Sequence, residues 1–348
     1  IYIFGDNLFF LDTITHIVLG AALGEVIAGK KMGKRAMLWG ALANNAPDLD
    51  IFLSPFQTIP DSLLSHRGFT HSILFAMLVP PALAWIFNHL HKGKAYGFKT
   101  WYLIFASGLF AHILVDSFTN YGTGWFEPFS HYRVSFNTIF VADPFYTIAL
   151  LISFIALLIL KSKSVFRKYF LIGGLTISTG YLFFTFINKF SINQVFIKTL
   201  EEKNLEYSSF ITTPTPLNNF LWYCLAKNDS GFYFGYRSLF DHGPLTGITF
   251  VPKNDSLLED LRNDPGIQKL IRFSQQYYCI TKSDSGGLDF HDLRFGQVGG
   301  WHNPKATFVF SYHITKGINN TAYINQGRFE AVTGDEFREL IQRIKGIN

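Results

Sequence analysis

Five short groups of histidine and aspartate carry the chemistry open to this sequence. They are Asp12 and His16 in D-T-I-T-H, Asp48 and Asp50 in P-D-L-D, His66 and His71 in H-R-G-F-T-H-S, His112 and Asp116 in H-I-L-V-D, and Asp143 in D-P-F. On a helix, residues four apart share a face with their Cβ atoms about 5 to 6 Å apart, so His112 with Asp116, and Asp12 with His16, can each offer two donors to one ion. Pro47 sets Asp48 and Asp50 in an extended stretch or turn that can aim both carboxylates at one cavity. Imidazole and carboxylate without sulfur suit Zn, Mn, Fe or Ni. The expectation is a divalent transition metal, Zn or Mn, as one or two ions held among His16, Asp48, Asp50, His66, His71, His112 and Asp116. Those donors outnumber the three or four around a single catalytic zinc, which leaves room for a second ion or for orienting partners. Asp48, Asp116 and Arg67 are the expected catalytic residues, the carboxylates as proton acceptors and the guanidinium as a phosphate clamp or a structural anchor. Asp12 and Asp143 also read as helix caps.

Such polar groups must be positioned by very apolar elements. The 348 residues are 48% hydrophobic and 17% aromatic but only 16% charged, well under the roughly 25% of a soluble domain. That composition argues against an ordinary cytosolic enzyme and excludes disorder. Four runs reach the roughly 20 residues a bilayer crossing needs: Ser72 to Leu90, Thr100 to Phe118, Pro144 to Leu160 and Tyr169 to Ile187. Two shorter ones, Ile14 to Gly29 and Ala36 to Ala46, read as a hairpin that crosses fully or dips in. The Pro80-Pro81 pair predicts a kink. The reading is an α-helical membrane domain of about six hydrophobic helices over 12–189.

Over 190–348 the pattern becomes that of a small α+β domain with an antiparallel sheet. Period-two runs at Gly231 to Arg237, Gly247 to Pro252, Gln276 to Lys282 and Ala306 to Ile314 predict strands, and Ser256 to Gln275 and Thr333 to Lys345 predict helices, the last capped by Thr333 or Asp335. Residues 1–11 read as an extended start without the basic flank of a signal peptide. Cys224 and Cys279 lack metal-site spacing, and the sequence leaves their pairing open.

Charge supplies an orientation. Stretches 30–35, 91–99 and 161–168 hold eleven Lys and Arg and no acid; they alternate with 47–70 and 119–143, whose bases are Arg67 and Arg133 alone. By the positive-inside rule the first set is cytoplasmic, which puts all five polar groups and the C-terminal domain on the outer side. The net charge of +5 is thereby assigned to orientation, and no nucleic-acid partner is expected.

D-T-I-T-H, P-D-L-D, H-R-G-F-T-H-S and H-I-L-V-D-S-F-T together resemble the motifs of a bacterial inner-membrane metal-dependent hydrolase family, also described as LexA-binding and membrane-associated. The resemblance covers about Asp12 to Ile187 and implies a multi-pass protein of the bacterial inner membrane with a metal-dependent hydrolase activity. F-H-D-L-R-F-G at Phe290 to Gly296 is similar to a D-x-R segment of larger members.

The leading function is a membrane-embedded hydrolase that uses a metal-activated water on an ester or phosphoester of a lipid or membrane-proximal substrate, the bilayer being its main partner. Two alternatives stand beside it: a metal or ion transporter, and a non-catalytic adaptor of a LexA-type regulator, the latter from the family resemblance only. A transporter would be expected to show inverted repeats and a midplane site, neither of which is visible.

Overall fold

The structure, a computed structural model, describes residues 4–92, 96–327 and 334–346. Residues 1–3 of the expected extended start, 93–95 of the basic stretch 91–99 and Thr333 lie outside them. The chain forms two compact units, one of residues 5–52 and 65–184, the other of 53–64 and 185–348.

The first unit is helical. Its elements are α1 (Phe4–Met32), α2 (Arg35–Asn44), a 3-10 segment (Pro47–Phe56) that it shares with the second unit, a short 3-10 turn (Phe69–His71), α4 (Ile73–Leu90), α5 (Phe98–Asp116), α6 (Pro144–Ile159) and the first part of α7 (Phe166–Glu202); α3 (Ile59–Ser65) lies between the 3-10 elements. Four helices, α1 from Asp12, α4, α5 and α7, are long and apolar enough to cross a membrane. The 10 residues of α2 rise only about 15 Å, half the hydrocarbon thickness. The two apolar segments thus form the expected hairpin, its first arm long enough to cross and its second reaching only partway. Because α1 begins at Phe4, residues 4–11 are helical instead of an extended start. The helix α4 continues through Pro80 and Pro81.

Small residues bring α1, α2 and α5 into backbone contact, the packing expected where lipid offers no hydrophobic drive. A Cβ added to Gly24 would lie 2.0 Å from the Ala36 carbonyl oxygen, and one on Gly40 would lie 2.1 Å from that of Gly20. Gly108 of α5 meets Ala43 in the same way, at 2.7 Å. The Asn44 side chain then donates to the His16 carbonyl at 2.7 Å, locking the end of α2 to the middle of α1. Gly24→Ala should force these helices apart and cost about 1 to 3 kcal/mol. Thermal unfolding in detergent would check it, and an unshifted transition would mean that the contact is soft.

The second unit holds two four-stranded antiparallel meanders where the sequence suggested one sheet: β1 (Ser209–Pro214), β2 (Leu221–Lys227), β3 (Gly231–Ser238) and β4 (Thr249–Pro252), then β5 (Tyr278–Lys282), β6 (Leu288–Gln297), β7 (Phe308–Lys316) and β8 (Ala322–Gln326). Alternate residues of β2 point to different cores. Leu221, Tyr223 and Leu225 join Tyr277, Cys279 and Leu293, while Trp222, Cys224 and Ala226 pack on Ile192, Phe196 and Leu200 of α7. Helix α7 thus runs about 15 residues past the end expected at Ile187, because its last turns form the floor of the first sheet. The helix expected over Ser256 to Gln275 is split at Pro265 into a 3-10 turn (Asp255–Leu261) and α8 (Pro265–Phe273), capped by Asp264. The last helix, α9, spans Gly334–Ile344. Cys224 and Cys279 are both free thiols, buried in different clusters.

Candidate metal centre

Four of the five polar groups converge inside the first unit. His16 comes from α1, and Pro47 ends the run of α2 and starts the 3-10 segment that turns Asp48 and Asp50 inward while Leu49 faces out. His71 closes the turn before α4, whose N-terminus is capped by Ser72 accepting from the Phe75 amide at 3.0 Å. His112 and Asp116 occupy one face of α5's last turns, and all of these except His66 are buried.

The donor atoms stand face to face. His71 Nε2 and His112 Nε2 are 3.0 Å apart. Asp48 Oδ1 lies 3.3 Å from the first and 3.4 Å from the second; Asp116 Oδ2 repeats those distances, 3.3 and 3.4 Å. A tetrahedral ion bonded at about 2.0 to 2.1 Å sets its ligands about 3.3 to 3.4 Å apart, so the four side chains form a cage of the right size. The buried cluster can hold a metal ion.

Two further groups share its carboxylates: Asp12, His16 and Asp116, and Asp48, Asp50 and His66. In the first, His16 Nε2 is 3.1 Å from Asp116 Oδ1 and 3.6 Å from Asp12 Oδ1, and its ring lies tilted by 31° against that of His112, the centroids 3.9 Å apart. In the second, His66 Nδ1 is 2.9 Å from Asp50 Oδ1, while Asp50 Oδ2 accepts from Thr70 Oγ1 at 2.8 Å and from the Arg67 amide at 3.2 Å. Asp50 Oδ2 also lies 3.6 Å from His71 Nδ1, on the side of the ring away from the cage. The direct partner of His71 Nδ1 is Thr70 Oγ1 at 2.9 Å, so the carboxylate that would orient a metal-bound imidazole acts on His71 through the Thr70 hydroxyl.

Arg67 organises the whole. It is 2% exposed and sits at φ 58°, a left-handed conformation that costs a non-glycine residue of order 1 to 3 kcal/mol. Its guanidinium donates to Asp12 Oδ2 and Thr119 Oγ1 at 2.8 Å each, lies 3.1 Å from Asp116 Oδ2 and faces the Tyr121 ring. Its own carbonyl accepts from the Gly124 amide at 2.8 Å, which docks the loop after α5 onto the turn.

Burial by itself would raise the Asp48 carboxyl pKa; the facing His112 and His71 outweigh that and hold it well below the usual range. Asp50 is likewise held below its ordinary value by His66, against the opposing effect of burial. Burial would lower the Arg67 pKa, but Asp116 and Asp12 hold it above its ordinary value.

The structure bears on three residues that the sequence left with two readings. Asp12 lies two turns inside α1 and pairs with Arg67, so it is not a cap. Asp143 is a cap: its carboxylate accepts from the Phe145 and Tyr146 amides and from the Tyr181 hydroxyl, and burial pushes its pKa up to about 6. Arg67 is engaged by carboxylates and Thr119. Sequence reasoning missed Asn44, Thr70, Thr119 and Arg133, the last donating to the His66 carbonyl at 3.1 Å. Their signal was weak, since each is an ordinary polar residue whose role appears only through its partner.

A family model described as "YdjM inner membrane protein" matches residues 11–192, just over half of the chain and all of the residues just described. The chain is 28% identical over 324 residues to "Uncharacterized protein YfhP" of Bacillus subtilis (strain 168), covering 87% of this chain and 91% of that protein. It is 32% identical over 122 residues to "Inner membrane protein YbcI" of Escherichia coli (strain K12), covering 34% of this chain and 69% of that one. No solved structure matches it.

Proposed function

Because the chain belongs to the YdjM inner membrane protein family and buries a four-donor cage, we propose that it is a multi-pass membrane metallohydrolase cleaving an ester or phosphoester in a lipid or membrane-proximal substrate. The observation that carries this reading is the set of five separations, 3.0 to 3.4 Å, that join His71 and His112 to each other and to Asp48 and Asp116. A bound divalent ion, Zn or Mn, would bring a water pKa near neutrality and polarise the scissile ester.

Structural metal sites close all four positions with protein ligands, whereas catalytic sites keep one open. The four donors divide on that criterion. The cage contacts of Asp48 are the two imidazoles, while Asp116 is already held by Arg67 at one oxygen and His16 at the other. We therefore assign His71, His112 and Asp48 as ligands and Asp116 as the proton acceptor at the remaining corner. His16 and Arg67 fix the Asp116 carboxylate, and Asp50 orients His71 through Thr70. In this assignment His66 and His16 are orienting groups and Arg67 is no phosphate clamp. The charge pattern supports an outward-facing site and an extracytoplasmic C-terminal unit, since the helix ends opposite the cage carry exposed Lys30, Lys31, Lys34 and Lys168.

The test is metal analysis of the purified protein together with cleavage of chromogenic phosphate and acyl esters. Asp116→Asn should keep its metal and lose about 10² to 10⁴ in turnover, the usual worth of a general base. Asp48→Ala should lose both metal and turnover. A wild-type protein with neither transition metal nor metal-dependent cleavage would sink the reading.

A further inference from the structure

The two ends of the helical unit expose opposite chemistry. At the end away from the cage, residues 30–35 and 161–168 present Lys30, Lys31, Lys34, Arg35, Lys161, Lys163 and Lys168 to the surroundings. The cage end is built from 47–52, 65–72 and 119–143. There Asp48, Asp50, Arg67, Arg133 and Asp143 are all buried, and Glu127 is half-buried against His131. Besides Pro128, Ser130 and His131, what these segments expose is Leu49, Phe52, Phe69, Phe126, Phe129 and Tyr132, with Phe129 at 84%, Phe52 at 71% and Tyr132 at 65%. The exposed remainder carries no Asp, Glu, Lys or Arg.

A water-facing loop that turns every formal charge inward and large aromatic rings outward would pay for it twice. Burying a charge costs free energy unless it is paired, and each exposed ring forgoes roughly 25 cal/mol per Å² of apolar burial. In a bilayer interface the same arrangement is favourable, because tyrosines concentrate at headgroup depth and Phe and Leu on such a face are buried at the headgroup–acyl boundary. The surface is also continuous with lipid-facing helix surface. Phe69 comes four residues before the start of α4 and contacts Phe75, and α4 goes on to expose Met77 and Leu78; Phe145 and Ile148 are exposed on the first turns of α6, just after the 119–143 loop.

We infer that the cage-bearing loops are seated in the bilayer, with the Phe52–Phe69–Phe129–Tyr132 collar at or below the headgroups, so that the site is reached from within the leaflet. The occupant of this face is lipid. As far as it concerns substrate, this rests on the hydrolase reading and narrows it to a membrane-resident amphiphile, excluding a soluble ester. The depth itself stands without any activity.

Cys224 and Cys279 are buried, so a single introduced cysteine can be labelled selectively. An environment-sensitive fluorophore would be placed at Phe129→Cys and, separately, at Phe52→Cys. The reconstituted full chain would then be quenched from the lipid with shallow and deep doxyl probes and from water with iodide. The control label is Asp284→Cys, in the exposed turn between β5 and β6. The expected result is blue-shifted emission that loses most of its intensity to shallow doxyl lipid and little to iodide, the reverse at Asp284, and the same depth when His112→Ala is added. Because the His112→Ala background reads depth without metal, the collar can hold while the hydrolase reading fails, and the reverse. Iodide quenching at both collar positions would overturn the inference and open the site to water. A label reached by neither quencher would also overturn it, because protein would then cover this face.

Discussion

Replacing His71 or His112 with alanine is expected to strip the protein of bound metal, with affinity falling by about a hundredfold or more. Loss of a merely orienting partner typically costs 10 to 100-fold, and loss of a ligand should lie at or beyond the top of that range. The two imidazoles stand 3.0 Å apart between Asp48 and Asp116 and are the two nitrogen donors of the four-donor group. Each substitution leaves carboxylates facing one another with one fewer neutralising partner, so the apoprotein should also lose stability at neutral pH and recover part of it on mild acidification. Asp50→Asn should fall within the 10 to 100-fold range, since it removes support for His71 and no ligand. His89→Ala is the matched control, its exposed ring bonding only the Trp85 carbonyl. Elemental analysis and competitive chelator titration give the numbers. Small and equal losses at His71, His112 and His89 would mean that the cage is a hydrogen-bonded cluster of helix-end residues.

Arg67→Met should be the most destabilising single change at the site, by about 3 to 5 kcal/mol. Removing one partner of a buried pair leaves the other charge uncompensated, and here two carboxylates, Asp12 and Asp116, lose the same guanidinium. Arg67→Lys should rescue little, because a single ammonium cannot reproduce a planar fork that spans Asp12, Asp116 and Thr119. A second substitution, Asp12→Asn, should restore part of the loss in the methionine background by removing one of the stranded charges. Unfolding midpoints in detergent decide it. If Arg67→Met unfolds with the wild type, the ion pairs are not organising this site.

The apolar helices were legible where charge is absent, so α4 and α6 fall within a residue or two of the runs read from composition. The C-terminal half of α7 was not, because its buried Ile192, Phe196 and Leu200 recur at helical spacing inside a polar sequence and pack on a sheet that composition does not announce. The strand β2 escaped for the opposite reason. L-W-Y-C-L-A is buried on both faces, so the alternation that marks a half-buried strand is missing.

At the site, the groups themselves could be read off, since polar residues at the ends of apolar runs require an explanation. Their division into cage and support could not. It depends on Arg67 adopting a left-handed backbone and reaching Asp12, 55 residues away, a pairing that no local spacing encodes.

The cage draws one donor or pair from each of three well-separated stretches, and the last of them is Asp116 at the end of α5. During synthesis no nascent chain ending before His112, on the same helix, carries all three assigned ligands, so Asp48 and His71 reach the membrane before their third partner. On the proposed reading, metal is therefore expected to load only after α5, which carries His112, has been made and inserted. Cells starved of the ion should accumulate a correctly inserted, empty protein that fills on resupply without new translation.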